Sequence, residues 1–498
     1  MTNPENQIDL LFDLKRPGPE PRSLRLAKAR ASYLAETLTL CANKSPRYRK
    51  TSAGPFLEAA ASLRKGPLVS KDEALKDQDC QKGQDYQKDL GHGPPSYIGH
   101  ARENDARLRD KEALAREREG PAQEREALAW ENFTRAILAG LPFTTESELA
   151  ESPESFLACG QSEIESVITI PTSGSSGPPK RIFSTLSDLE ETAAFFRYGM
   201  LHLVSESDRV ALLMSSLRPG TVGDLLTRGL KSWGIPVKVM GPAPAPLSRD
   251  WLFELESFSP TCLVGLPSQL FLLSRRLPPP GPVKTVLLSG EASPVSLKKA
   301  IAASWKVAVF DHYGQTETGL AGAVDCPRIL GPHLREAELM AEIAGPKGEI
   351  VPDGETGELI LTTLTRRAMP LVRYKTGDLG RLLKDKCPCG SAMARLIVLG
   401  RVKDELETAR GPLTLSEMGE ALYALPSLAG FKAALSPGPL LSLSVIPAEN
   451  GPWGLAQAAK EAGEALGSLL GGYPPFEILA ADPGHVPAAS GAKPVLSR

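Results

Sequence analysis

A loop of small residues between two strand-like runs constrains the fold of this chain more than any other feature. The loop covers residues 171–180, with the sequence PTSGSSGPPK, and it follows the apolar run VITI at residues 167–170. Its glycines let backbone amides approach a charged ligand, its hydroxyls add hydrogen-bond donors, and Lys180 adds a positive charge. The pattern predicts a cradle for a polyphosphate, formed by Thr172, Ser173, Gly174, Ser175, Ser176, Gly177 and Lys180.

The loop does not match the P-loop of kinases and GTPases. That pattern needs Gly-x-x-x-x-Gly-Lys followed by Ser or Thr and then a helix. Here two prolines precede Lys180, and residues 181–184 continue as a second strand-like run. A helix is predicted only afterwards, at a capping box that begins with Ser187. A disordered Ser/Gly linker is the plainer interpretation of the loop, but the strand-like runs on both sides argue against it.

Beyond the loop, short β-rich runs alternate with stretches of helical periodicity. Five such runs lie between residues 210 and 310. This alternation predicts α/β layering with at least one largely parallel sheet, in which ligands collect at the carboxyl ends of the strands. After Pro332 the pattern changes to strands separated by turns, which predicts a smaller β-rich subdomain.

Groups suited to a nucleotide follow two of these strand-like runs. Gly290 and Glu291 come after the fourth run, and the string DHYGQTETG at residues 311–319 overlaps and follows the fifth. Within that string Tyr313 could stack on a base, and Gly314 would allow close approach of a ligand. An ordinary loop is the alternative for this string, but its place after a buried strand favours a functional interpretation.

Oxygen donors occur in the same string and again in the β-rich part. Thr316 and Glu317 offer a hydroxyl and a carboxylate to a hard cation such as Mg²⁺. Asp378 ends the run RYKTGD at residues 373–378, where its carboxylate could accept hydrogen bonds from two ribose hydroxyls. A turn-forming Asp after Gly is the alternative interpretation of Asp378.

Three of the seven cysteines lie in loop-like sequence together with a histidine. Cys326 and His333 stand seven residues apart, and Cys387 and Cys389 follow about sixty residues later. Three thiolates and one imidazole form the closed tetrahedral shell of a structural zinc site. The split spacing is only suggestive, because Cys-x-Cys is less diagnostic than Cys-x-x-Cys.

The totals exclude several classes of protein. A chain of 498 residues is too long for one core and predicts two to four domains. A net charge of −2 gives no electrostatic argument for binding nucleic acid or a membrane. Because the sequence has no apolar run of about 18 residues and its amino terminus does not resemble a signal peptide, we expect a cytoplasmic protein.

The first part of the chain divides into two segments of different composition. Residues 1–63 carry apolar positions at helical spacing and predict a helical segment of a large domain. Residues 64–127 are rich in charged residues and Gln without a sustained apolar face, which predicts a partly disordered insertion. A partner-binding helix within this insertion is the alternative.

Four motifs stand in a specific order along the chain: residues 172–180, YGQTE at 313–317, YKTGD at 374–378 and LGRVKD at 399–404. Together they resemble the acyl-adenylate-forming (AMP-dependent) synthetase and ligase superfamily, and within it the phenylacetate-CoA ligase branch. The resemblance implies a large adenylate-forming domain over residues 128–400 and a small mobile α+β domain over residues 401–498. The active site is then expected between the two domains, next to a hinge at residues 401–403.

The resemblance also implies roles for individual residues. It assigns the loop at residues 172–177, Lys180 and Thr316 to the phosphates of ATP, and Glu317 to Mg²⁺. It assigns Asp378 to the ribose and Arg401 to the nucleotide near the hinge. The region around the adenine is matched by Gly290, Glu291, Asp311, His312, Tyr313 and Gly314.

Two further assignments follow from the same resemblance. Lys493 matches the lysine near the chain end that contacts the substrate carboxylate and the α-phosphate, although Ala492 replaces the glycine that relatives commonly have before it. A frayed tail is the alternative for this segment. Some phenylacetate-CoA ligases resemble the pattern of Cys326, His333, Cys387 and Cys389, which strengthens the zinc interpretation.

The implied activity is that of an ATP-dependent carboxylic acid-CoA ligase, with an aryl or arylacetic acid as the expected substrate. The expected cofactors and co-substrates are ATP, Mg²⁺ and coenzyme A, together with a structural Zn²⁺. Transfer of the acyl group to a carrier protein and a catalytically silent adenylate-binding protein are the alternatives. A kinase or GTPase would instead release ADP or GDP, and the sequence leaves the oligomeric state open.

Overall fold

The computed structural model describes residues 22–67, 125–170, 179–215, 218–244, 246–391, 393–435 and 440–480. Most of the predicted charged insertion therefore lies outside the described residues. Helices α1 (Arg22–Lys44) and α2 (Pro46–Lys65) pack on one another, and residues 125–139 are also helical. A short helix, α3 (Glu146–Glu151), follows, and strands β1 (Ile164–Ile170) and β2 (Lys180–Thr185) form an antiparallel pair.

The largest element is a sheet of eleven strands, in the order β10-β11-β12-β13-β9-β8-β7-β6-β5-β3-β4. Its strands are β3 (Val210–Leu213), β4 (Val237–Val239), β5 (Cys262–Gly265), β6 (Thr285–Ser289), β7 (Ala308–Tyr313), β8 (Ala323–Val324), β9 (His333–Leu334), β10 (Leu339–Ala344), β11 (Gly357–Thr363), β12 (Tyr374–Leu383) and β13 (Arg395–Arg401). In the order of the sheet, the five strands β4, β3, β5, β6 and β7 run parallel to one another. From β7 onward, through β8, β9, β13, β12 and β11 to β10, each strand runs antiparallel to the one before it.

The parallel half of the sheet confirms the predicted α/β layering. Its strands are the five β-rich runs of the sequence. Helix α4 (Leu186–Gly199) precedes the first of them, and the four connections between them contain helices α5 (Val222–Lys231), α6 (Arg249–Phe258), α7 (Pro267–Arg276) and α8 (Val295–Trp305). Side chains alternate along β5: Leu263 packs into a core with α7 and α8, whereas Val264 packs into another with α4 and α5. Both faces are therefore covered, as a parallel sheet requires.

The predicted β-rich part does not form a separate sheet. Strands β10 to β13 extend the parallel half through the two short strands β8 and β9. The β13–β9 junction rests on a single residue pair, Arg395 with His333. Helices α1 and α2 pack on this side of the molecule, where Leu34, Phe56 and Tyr374 share one core cluster.

The described residues after Arg401 form an α+β unit. It contains strands β14 (Leu406–Thr408), β15 (Gly411–Leu413), β16 (Leu428–Leu435), β17 (Leu441–Pro447) and β18 (Phe476–Ala480), with helices α9 (Leu415–Tyr423) and α10 (Pro452–Leu470). This unit packs against α7 and α8, where the rings of Phe271 and Tyr423 lie 4.8 Å apart. Glu420 accepts hydrogen bonds from the first two backbone amides of α8, those of Val295 and Ser296.

Within the described ranges, no helix has both the length and the apolar character needed to cross a bilayer.

The core of the parallel half should be sensitive to loss of volume. Leu263 is fully buried in β5, so the substitution Leu263→Ala should lower the free energy of unfolding by about 2–5 kcal/mol. The control Leu201→Ala makes the same chemical change at a side chain that is 48 % exposed, and it should change stability by less than about 0.5 kcal/mol. Urea denaturation followed by circular dichroism measures both, and equal effects would contradict this description of the core.

Candidate functional site

Seven of the predicted site residues lie outside the described residues. They are the loop residues Thr172, Ser173, Gly174, Ser175, Ser176 and Gly177, and the terminal Lys493. The remaining residues are described. Those expected at the nucleotide come from five separate segments of the chain, and the four expected zinc ligands are treated below.

The side chain of Lys180 is a buried cation between two carboxylates. It begins β2, directly after the predicted phosphate loop, and the residue is only 5 % exposed. Its Nζ donates a hydrogen bond to Oε1 of Glu146 at 2.8 Å and another to Oε1 of Glu317. Burial works to lower the pKa of Lys180, but the two carboxylates outweigh it and raise that pKa, so the side chain stays charged.

Glu317 is held in this position by a second contact. The hydroxyl of Tyr374 donates to Oε1 of Glu317 at 3.4 Å, and Tyr374 is itself buried at the start of β12. Burial and the nearby carboxylates of Glu317 and Glu146 raise the pKa of Tyr374 far above its usual range. The phenol is therefore a permanent hydrogen-bond donor to Glu317.

Glu146 was not singled out from the sequence. It is the first residue of α3, whose amino terminus is fixed by a capping box in which Thr145 and Glu148 exchange hydrogen bonds. The backbone of Thr144 anchors the same turn by bonding to the amide of Lys375 and the carbonyl of Arg373. The Thr-x-x-Glu pattern could have predicted a helix start here, but nothing local indicates that Glu146 faces Lys180.

Asp378 is the centre of a second group of contacts. Its Oδ2 accepts hydrogen bonds from the hydroxyl of Tyr313 at 2.8 Å and from Nε2 of Gln315. Its Oδ1 lies 2.7 Å from Nε of Arg401, which stands opposite Asp378 in the register of β12 and β13. Gln315 also donates to the carbonyl of Thr376 at 3.1 Å, a positioning contact that the sequence did not reveal.

The two groups of contacts lie in one electrostatic field. Burial works to lower the pKa of Arg401, but Asp378, Tyr313, Glu317 and Glu146 act in the opposite direction and raise it. The contacts link the groups directly, because Gln315 is bonded to Asp378 and Glu317, two residues further along the chain, is bonded to Lys180. The structure thus brings together Lys180, Glu317, Asp378 and Arg401, which are widely separated in sequence.

The residues expected around the adenine lie side by side at the carboxyl ends of β6 and β7. Ser289 and His312 are paired in the register of these strands, and the Ser289 hydroxyl lies 2.9 Å from Nδ1 of His312. Glu291 accepts hydrogen bonds from the amide and hydroxyl of Ser268, at 2.9 and 3.0 Å. Asp311 accepts from the Ser293 hydroxyl at 3.1 Å, so its carboxylate already has a protein partner.

Two neighbouring positions explain why this string contains small and polar residues. At Gly314 an added Cβ would lie 1.6 Å from the carbonyl oxygen of Leu320, so the close approach expected there is made by the chain itself. Thr316 lies half-buried between Gln315 and Glu317 in the same turn. It is the neighbour of Glu317 in the chain, and its hydroxyl has the chemistry of a ligand for a hard cation.

The predicted zinc ligands converge in space. Cys326 follows β8, His333 begins β9, and Cys387 and Cys389 lie in the connection from β12 to β13. Their ligand atoms all lie within 4.8 Å of one another, with 3.7 Å between the Sγ atoms of Cys326 and Cys387. A tetrahedral shell with Zn–S bonds of about 2.3 Å places two sulfurs about 3.8 Å apart, so the spacing fits zinc.

The histidine of this cluster is oriented for metal binding. Nε2 of His333 lies 3.4 Å from Sγ of Cys389, and Nδ1 lies 3.0 Å from the carbonyl oxygen of Met393. A proton on Nδ1 would be donated to that carbonyl, which leaves the lone pair of Nε2 directed into the cluster. The four side chains thus satisfy the requirements of a closed metal shell.

Comparison with known proteins places this geometry in context. The chain matches the AMP-binding enzyme family over residues 110–364. The phenylacetate-coenzyme A ligase of Aromatoleum evansii is 27 % identical over 317 residues, covering 59 % of this chain and 68 % of the relative. The corresponding ligase of Thermus thermophilus is 26 % identical over 307 residues, covering 58 % and 67 %.

A solved structure shares the fold. The crystal structure of 2-hydroxyisobutyryl-CoA ligase in the postadenylation state, in complex with R3-HIB-AMP, aligns with a TM-score of 0.62. The alignment covers 72 % of this chain and 80 % of that chain at 21 % identity. At this identity the likeness establishes the fold, with its large amino-terminal part and mixed α/β architecture.

Acidification should destabilise the protein through His312. Burial lowers the pKa of His312 to about 4, and among the described residues its Nε2 has no hydrogen-bond partner. Between pH 6.5 and 4 the unfolded chain therefore binds a proton at this position that the folded chain does not, so stability falls as the pH falls. Going from pH 6.5 to 5 should cost about 2 kcal/mol from this residue.

The variant His312→Asn separates this effect from other titrating groups. Its free energy of unfolding should be lower than that of the wild type at pH 7, but it should decline less between pH 7 and pH 5. Urea denaturation of both proteins at the two pH values gives the comparison. Parallel declines in the two proteins would show that His312 does not set the pH dependence.

Proposed function

This chain belongs to the AMP-binding enzyme family, and from that membership we propose that it is an ATP-dependent carboxylic acid-CoA ligase. The enzyme class predicted from the sequence, an AMP-forming acyl-CoA ligase, agrees with the family match and with the ligases among its relatives. The proposal adds the two steps of the reaction, the residues that carry them and the kind of acid that reacts.

One observation carries the proposal. Lys180, Glu317, Asp378 and Arg401 come from four motifs spread over more than 200 residues. Yet Lys180 contacts Glu317, Asp378 contacts Arg401, and Gln315 joins the two pairs through its bond to Asp378. A phosphate-binding lysine beside a buried carboxylate, next to a carboxylate suited to a ribose, is the arrangement that a Mg²⁺-bound nucleotide needs.

The first step that we propose is formation of a mixed anhydride. A carboxylate oxygen of the acid attacks the α-phosphorus of ATP, the bond to the β-phosphate oxygen breaks, and pyrophosphate leaves. Lys180 would offset charge on the phosphates, together with the loop residues 172–177. Lys493, which lies outside the described residues, would contact the acid and the α-phosphate. Asp378 and Arg401 would hold the ribose side of the nucleotide, so that positioning lowers much of the barrier.

The donor set beside Lys180 fits Mg²⁺. The carboxylate of Glu317 and the hydroxyl of Thr316 are the hard oxygen ligands that this cation prefers, and we propose that they hold it. The bound cation would offset the negative charge of the phosphates. Because Lys180 is in direct contact with Oε1 of Glu317, the cation and the ammonium would share the charge of this carboxylate.

The second step that we propose is thioester formation. The thiol of coenzyme A attacks the acyl carbon and gives up its proton to solvent. The bond between the acyl carbon and the phosphate oxygen breaks, and AMP leaves. We further propose that residues 401–498 form a small domain that turns about residues 401–403 between the steps.

The adenine would lie near Gly290, Glu291, Asp311, His312, Tyr313 and Gly314. An aryl or arylacetic acid is the proposed substrate, since the relatives are phenylacetate-coenzyme A ligases.

Pyrophosphate release tests this function directly. With ATP and Mg²⁺, a panel of carboxylic acids should give acid-dependent pyrophosphate release and AMP, fastest with aryl or arylacetic acids. The variant Asp378→Asn should raise the KM for ATP about tenfold or more, because it removes a charge-assisted hydrogen-bond acceptor. The control Asp250→Asn changes an exposed carboxylate on α6 and should leave the KM unchanged.

The products distinguish this function from the other possibilities. AMP release that requires free coenzyme A supports the ligase, whereas AMP release that requires a carrier protein points to a different acceptor. Release of ADP, or no acid-dependent pyrophosphate from any acid, would contradict the proposal.

We also propose that Cys326, His333, Cys387 and Cys389 hold a structural Zn²⁺. The support is the spacing of the ligand atoms and the orientation of His333. Four protein ligands complete a tetrahedron, so the ion would have no open position for catalysis. Its effect would be to fix the β12–β13 connection against the segment between β8 and β9.

Elemental analysis tests the zinc proposal. Protein purified without chelator should contain about one zinc per chain, and Cys389→Ser should lose most of it and unfold at a lower temperature. The control Cys159→Ser changes a half-exposed free cysteine outside the cluster and should keep the zinc. Protein that contains no zinc when purified in this way would remove the proposal.

A further inference from the structure

Lys180 has more negative charge around it than a phosphate-binding lysine requires. Its ammonium contacts Oε1 of Glu146 at 2.8 Å and Oε1 of Glu317, so two carboxylates share one cation. The Lys180 and Glu317 side chains are almost fully buried, whereas that of Glu146 is 39 % exposed at the edge of the site. A site built only to bind phosphate would be weakened by the extra negative charge.

The two carboxylates cannot have the same role in the proposed reaction. Lys180 is bonded to Oε1 of Glu317, so a nucleotide-bound cation on this carboxylate would compete with Lys180 for its negative charge. A buried ammonium that loses its partner is strongly destabilised. Glu146 is bonded to the same ammonium, so it can keep Lys180 paired while Glu317 is occupied.

The surroundings keep Glu146 ionised for this purpose. Partial burial works to raise the pKa of Glu146, but the charges of Lys180, Lys403 and Arg401 outweigh it and lower that pKa. The carboxylate is therefore negative at neutral pH, and it is bonded to Lys180. Its position is fixed by the capping box of α3 and by the bond between Thr144 and Lys375.

We propose that Glu146 is a positioning residue that retains the Lys180 ammonium and thereby releases Glu317 to bind the nucleotide's divalent cation. This inference rests on the proposed function, since it concerns the same site. It assigns the two carboxylates different tasks: Glu317 contacts the cation, and Glu146 acts only through Lys180. The separation predicts opposite effects of removing the Glu146 charge, depending on whether the cation is present.

Of the two carboxylates that contact Lys180, only Glu317 is left when the charge of Glu146 is removed. The divalent cation then competes for Glu317 with an ammonium that has lost its other carboxylate, so a higher concentration of Mg²⁺ is needed. In the absence of the cation, the loss of one negative charge near Lys180 should favour the phosphates of ATP. A residue that merely stabilised α3 would produce neither effect.

The experiment compares Glu146→Gln, Glu146→Asp and the control Glu151→Gln, which makes the same change at an exposed position in α3. For Glu146→Gln, the Mg²⁺ concentration that gives half-maximal pyrophosphate release should rise about five- to tenfold, with a smaller change in kcat. Titration calorimetry with ATP in EDTA should show binding several-fold tighter than in the wild type. Glu146→Asp should restore part of the normal Mg²⁺ requirement, and Glu151→Gln should match the wild type in both measurements.

The outcomes separate this inference from the proposed function. If the wild type gives acid-dependent pyrophosphate release but Glu146→Gln matches Glu151→Gln in its Mg²⁺ requirement and in ATP binding in EDTA, the inference is wrong. If the wild type gives no such release, the proposed function fails, and unchanged ATP binding in EDTA by Glu146→Gln would then count separately against the role of Glu146.

Discussion

A charged side chain that is buried needs an opposite charge beside it, and this requirement holds the separate segments of the site together. Lys180 at the start of β2 is neutralised by carboxylates from α3 and from the turn after β7, and Asp378 in β12 is neutralised by Arg401 in β13. Removing Lys180 would leave the buried Glu317 carboxylate without its cation, at a cost of several kcal/mol. Each ion pair therefore fixes two parts of the chain relative to one another, in the place where a nucleotide with its own charges would have to fit.

The sheet supplies the frame for these pairs. Strands β5, β6 and β7 run parallel and end at one edge, which brings Ser289 and His312 together, whereas β12 and β13 run antiparallel and bring Asp378 opposite Arg401. Tyr313, the last residue of β7, joins the two halves through its bond to Asp378. The site thus forms where the direction of the strands changes, and the groups it uses come from both halves of one sheet.

The sequence allowed the parallel strands, the order of the four motifs and the family to be predicted, because each depends on local periodicity or on a short motif. It did not allow Glu146 or Gln315 to be recognised, because their roles depend on tertiary contacts with Lys180 and Asp378 rather than on their neighbours in the chain. The continuous sheet was also missed, since β8 and β9 have only two residues each and no periodicity can identify them. Gly314 was recognised as a close approach, but the approaching group is the chain's own carbonyl.

The Cys/His cluster lies at the weakest part of this frame. Strand β9 is joined to β8 by two residue pairs and to β13 by one, so the parallel and antiparallel halves are linked by very few backbone hydrogen bonds. Cys326 and His333 border this link on one side, and Cys387 and Cys389 lie on the loop that precedes β13 on the other. A metal ion bound there would link the two halves through its coordinate bonds, at the place where the fewest backbone hydrogen bonds join them. Tyr313 lies in one half and Asp378 in the other. The same ion would therefore also help to fix the distance between these two side chains.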